Sequence, residues 1–147
     1  MEANRTHAEE NAAELQQLRA LVARLSAADL ACPLGGGWTV AMALAHLAFW
    51  DRRRRAQMQQ WARTGVEPVA GDSGSINAAV EVLAAAIPPQ GAASLAIEAA
   101  EAVDGEVAQL PAEVIAAIEC AGAVSMLRRA THRREHIEQI ERGLRGE

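Results

Sequence analysis

Histidine is the one side chain whose ordinary pKa leaves a neutral nitrogen lone pair free near pH 7, and three of the chain's four histidines are spaced to use it. His132 and His136 stand four residues apart in THRREHIEQIERGL. On a helix that spacing puts both imidazoles on one face, about one turn from each other, within reach of a single cation. His46 sits in the apolar run WTVAMALAHLAFW. At about 100° per residue, His136 lies about 80°, His132 about 120° and His46 about 100° from the centre of its own helix's apolar stripe. All three flank a core, where a cleft between helices opens. Their depths along the two helices match for parallel or antiparallel packing. Three neutral imidazoles leave a divalent ion at least one open position, which is the arrangement of catalytic metal sites. The plainer alternative is a solvated H-x-x-x-H face with His46 bonded to a backbone carbonyl. His7, close to the N-terminus, reads as a surface residue.

Neighbouring residues extend the candidate site. Asp51, five residues past His46, is placed either to steady a ligand's second nitrogen or to pair with an arginine of the run Arg52 to Arg55. Arg54 and Arg133 fall near the apolar stripes of their helices and are candidates to orient an anionic group, the competing role being an ion-paired or snorkelling side chain. Glu135 completes H-x-x-E-H, the inverted zinc-peptidase motif, in which it would act as a base. That motif takes a carboxylate ligand far downstream, and the chain ends eleven residues after His136, so Glu135 reads either as a base beside the site or as a surface partner of arginine.

These residues need helices to carry them. Leucine or valine at positions 15, 18, 21, 22 and 25 marks a first helix from about Arg5 to Leu30. Pro33 and the three glycines of ACPLGGGW interrupt it. Thr39 is the expected N-cap of a second helix running to about Arg63 with Leu44, Leu47, Trp50, Met58 and Trp61 inward. A loop over 64–75 and a short apolar helix over 76–87 then form a long crossover, ended by Pro88 and Pro89. A third helix is expected from Ala92 to about Leu110, a short piece from Pro111 to Cys120, and a last helix capped by Ser125. The expectation is one all-α domain over residues 1–147: an up-down-down-up four-helix bundle with a short helical crossover between the second and third main helices.

Composition narrows the function classes. Half the residues are hydrophobic but only 3% aromatic, and alanine-rich sequence of this kind favours helix. A net charge of −5 argues against a nucleic-acid partner, because neutralising phosphates requires a basic face. All 14 basic residues are arginine. Cys32 and Cys120 form no metal or redox spacing, no apolar run is long enough for a membrane span, and the polar N-terminus lacks a secretory pattern, so the expected location is cytoplasmic.

The segments GGWTVAMALAHLAFWD and THRREHIEQIERGL together resemble the DinB-like superfamily of metalloenzymes, in which one histidine follows a W-[ST]-V opening of the second helix and two more form H-x-x-x-H on the fourth. His46, His132 and His136 match those positions one for one, and the likeness extends over essentially the whole chain. Within the superfamily the chain is most similar to the metal-binding domain of mycothiol-dependent maleylpyruvate isomerases. The resemblance implies a divalent ion, zinc or nickel, and chemistry on a low-molecular-weight thiol such as mycothiol. Without the second domain of those isomerases, the expected activity is a thiol-dependent transferase or hydrolase acting on a small electrophile. The competing expectation is a non-catalytic helical homodimer, a stress or accessory protein, with a structural or vacant metal site.

Overall fold

A computed structural model describes residues 3–68, 71 and 73–147. Seven α-helices hold most of them: α1 (Thr6–Arg24), α2 (Ala27–Leu30), α3 (Val40–Thr64), α4 (Ser73–Ala86), α5 (Pro89–Gln109), α6 (Ala112–Cys120) and α7 (Ala130–Leu144). A small antiparallel hairpin, β1 (Pro33–Gly35) and β2 (Trp38–Thr39), sits between α2 and α3. The fold is all-α in character, as expected.

Local chemistry explains where the boundaries differ from expectation. The first helix does not continue to Leu30. Ser26 and Asp29 form a reciprocal capping box that starts α2 as a separate turn. The proline-glycine segment that interrupts the helix pairs into the hairpin. Thr39 caps α3 as read from the sequence, its hydroxyl accepting from the Met42 N–H at 3.2 Å. Pro89 takes the first turn of α5, where a missing N–H costs nothing, so that helix begins three residues before the expected Ala92. Ser125 caps nothing. It lies in a 3₁₀ turn, Val124–Met126, and α7 starts at Ala130. Of the loop expected over 64–75, residues 69, 70 and 72 lie outside the described set.

Packing brings the helices into register through long-range ion pairs. Glu10 with Arg128, just ahead of α7, then Glu14 with Arg134 and Arg24 with Glu141 step along α1 and α7 in the same sense. Arg19 with Glu101 and Arg5 with the Ala108 carbonyl run α1 and α5 in opposite senses. The alanine face of α5 (Ala92, Ala93, Ala96, Ala100) lets α3 and α1 approach closely around Leu18, Leu21, Leu44 and Leu47. A second apolar cluster gathers Met58, Trp61, Val103, Val107, Ile115, Ile118 and Leu127. Between the two lies a buried charged layer of Asp51, Arg129 and Arg133, with the half-buried Asp104 beside it. His7 also departs from expectation: it is 4% exposed, with its Nε2 3.7 Å from a Glu119 carboxylate oxygen.

Candidate metal centre

The cap at Thr39 fixes where α3 begins, and seven residues later His46 faces α7, 8% exposed. Trp38 meets its ring edge-on at 5.3 Å and Trp50 tilts against it at 6.5 Å, so both neighbours are aromatic. His132 and His136 come from successive turns of α7. Their Nε2 atoms are 3.2 Å apart, and one nitrogen from each of the three histidines lies within 4.8 Å of the others.

Two features suit a divalent cation. Tetrahedral bonds of about 2.0–2.1 Å to imidazole place neighbouring ligand nitrogens about 3.3 Å apart, close to the His132–His136 separation. The second is the reach of His46, one of whose nitrogens lies within 4.8 Å of those two and whose buried Nδ1 has no hydrogen-bond partner among the described residues. The electrostatics agree. Burial, reinforced by His136, lowers the His46 pKa to about 4. Burial, then the fields of His136 and Arg129, take His132 down to about 2. Burial also lowers His136. All three rings are therefore neutral at pH 7 with a lone pair each.

A cavity of about 330 Å³ opens onto this cluster between α3, α4 and α7, with Trp50, Arg54, Asn77, Arg129 and Glu135 among its walls. Asn77, from the crossover helix, accepts from Trp50 Nε1 at 2.9 Å and fixes the indole. Arg54 does reach the cavity. Its guanidinium stacks 4.9 Å from the Trp50 ring centroid and donates to Gln57, and burial together with Arg129 and Arg53 lowers its pKa to about 10. Glu135 is exposed on the cavity wall.

Two expected roles change. Arg133 does not face the cavity: it is fully buried, donating to Asp104 at 2.7 and 3.0 Å, to the Asn11 carbonyl at 2.9 Å and to Asp51 at 3.4 Å. Its place near the apolar stripe follows from helix geometry, but the carboxylates of Asp51 and Asp104 that meet it there come from other helices. Asp51, 2% exposed, touches neither a histidine nor the arginines beside it in sequence, and instead accepts from Arg129 Nε at 2.8 Å. Arg129 is the residue the sequence reading missed. It is 4% exposed, and its NH2 lies 3.2 Å from His132 Nδ1. The signal available was its position three residues before His132, which places both on one helix face.

A mostly helical fold with three imidazoles converging at the wall of a cavity is compatible with a helical protein that holds a divalent metal. The chain belongs to the DinB superfamily, whose family model matches residues 10–144 and so spans all three histidines. No curated protein and no solved structure matches it.

Proposed function

We propose that this protein is a divalent-metal enzyme that joins or cleaves a small electrophile with a low-molecular-weight thiol, on an up-down-down-up four-helix bundle. The observation that carries the reading is the convergence of His46, His132 and His136 from two helices remote in sequence. A zinc or nickel ion held there supplies a Lewis acid that makes water or a thiol nucleophilic near neutral pH. The chain's own residues supply the rest. Trp50, fixed by Asn77, gives the substrate a flat apolar wall. Among the described residues no carboxylate lies within ion-pair distance of Arg54, which is the group that orients an anionic substituent. Glu135 stands at the rim with its carboxylate available as a base. A mycothiol-type cosubstrate and kinship to the maleylpyruvate isomerase domain fit this reading through the placement of the histidine motifs on the second and last main helices. Cytoplasmic location fits as well, and no described helix is long and apolar enough to cross a membrane.

Metal analysis of untagged protein tests the first step. Wild type should carry close to one equivalent, and His46→Ala and His132→Ala should lose most of it; equal metal in all three would overturn the assignment.

One observation favours a second reading, a homodimer whose site is structural. Val82 and Leu83 on α4 and Leu95 on α5 are exposed large apolar residues, at 73%, 65% and 38%, and the latter two line an apolar groove of about 270 Å³ behind α3. Sedimentation with and without chelator separates the two: a dimer that dissociates when metal is removed supports the structural role, and a chelator-insensitive species with thiol-dependent turnover supports the enzyme.

A further inference from the structure

Arg129 is held at three corners. Its Nε donates to Asp51 Oδ1 at 2.8 Å, its NH1 to the Ser125 carbonyl at 2.9 Å, and its NH2 points at His132 Nδ1 at 3.2 Å. A guanidinium can only donate. A neutral imidazole has one N–H and one lone pair, so His132 Nδ1 must be the acceptor and the ring hydrogen must be on Nε2. That hydrogen faces His136 Nε2 at 3.2 Å, which accepts it, because His136 Nδ1 gives its own hydrogen to Gln139 Oε1 at 2.8 Å. The result is a one-way chain of donors, Arg129 to His132 to His136 to Gln139, anchored in the core at Asp51.

This polarity is the reverse of the usual one. A metal-ligating histidine ordinarily donates its second N–H to a carboxylate or carbonyl, which leaves the other nitrogen's lone pair for the ion. Here the lone pair of His132 is already taken, and the nitrogen nearest the other ligands carries the hydrogen. His136 is set the ordinary way, with its lone pair inward.

We propose that Arg129 is a positioning residue that competes with the metal for His132, so that His132 becomes a ligand only when the guanidinium releases its Nδ1. Release leaves Arg129 two other bonds, to Asp51 and Ser125, and so does not strand its charge. His46 and His136 then form the permanent half of the site and His132 the exchangeable half. This rests on the three-histidine metal reading above.

The test combines two measurements. In metal-free protein labelled at histidine nitrogens, long-range proton–nitrogen NMR should find His132 with its hydrogen on Nε2, and zinc should move it to Nδ1. Zinc affinity by competition with a chromophoric chelator should be about tenfold or more tighter in Arg129→Gln, whose amide oxygen can accept from Nδ1–H in the ordinary sense. Arg129→Lys, which keeps the charge beside Asp51 but loses the fork, should fall between and carries the test if the glutamine variant does not fold. A His132 hydrogen on Nδ1 in the metal-free protein, or zinc binding equal to or weaker than wild type in both variants, overturns the competition while leaving the metal site standing. No zinc binding in wild type or either variant overturns both.

Discussion

Replacing Arg133 separates a buried structural role from a substrate-binding one. The side chain is 0% exposed and contacts Asn11, Asp51 and Asp104. In Arg133→Met the volume is roughly kept, Asp51 retains Arg129, and Asp104 loses its arginine while its side chain is only 14% exposed. Burial already raises the Asp104 pKa against the pull of Arg133; without that pull the carboxylate is left desolvated and unpaired. For the guanidinium, burial is outweighed by the Asp104 hydrogen bond and the fields of Asp51 and Asp104, which raise its pKa, so the pair holds Arg133 more firmly than Asp104. Removing one partner of a buried pair costs about 3–5 kcal/mol, which at about 2–4 °C per kcal/mol for a chain of this size lowers the melting temperature by roughly 6–20 °C. Urea denaturation of metal-free protein, followed by far-ultraviolet circular dichroism, reads the loss directly. Asp104→Leu added to Arg133→Met should recover part of it by removing the stranded carboxylate. A loss under about 1 kcal/mol, or a double variant no better than the single one, would refute the reasoning.

Acid should weaken the metal-free fold. Folded His46 titrates at about 4 and His132 at about 2, whereas an unfolded histidine takes its proton near pH 6.5, so stability is full above that value and falls as pH drops through 6.5 toward 4 and below. Melting temperatures between pH 7.5 and 4.5 should show a shallower fall for His46→Gln; parallel curves would contradict the assignment. At Gly143, in the last turn of α7, an added Cβ would overlap Leu34 Cδ2, so Gly143→Ala should forgo the gain, at most about 1 kcal/mol, that replacing a helical glycine brings. That gain should return when Leu34→Ala is combined with it, as a double-mutant cycle would show.

Much of the site was legible because its signals are local. The i, i+4 spacing of His132 and His136, the cap at Thr39 and the Arg54 stripe position depend on helix geometry alone, and each residue lies where that geometry puts it. The charged layer was not legible. Asp51 meets Arg129 78 residues away and Arg133 meets Asp104 29 residues away, and four adjacent arginines after Asp51 offered a nearer and mistaken partner. The break at Ser26 was masked by continuous leucine periodicity, although the serine and Asp29 at the right spacing spell a capping box. The start of α7 was misplaced because Ser125 is a good cap by type, while the structure spends those residues on a 3₁₀ turn that brings Met126 and Leu127 into the second apolar cluster.

The hairpin sets a common origin for measuring both arms of the site. Its β2 end passes directly into the cap of α3, and its β1 residue Leu34 rests on Gly143 near the end of α7. His46 lies seven residues from Thr39 and His136 seven from Gly143, so each imidazole stands about 10 Å from the same datum. Because neither distance is counted through the long stretch joining α3 to α5, that stretch can drift in length and composition over evolutionary time while the two imidazoles stay level with each other.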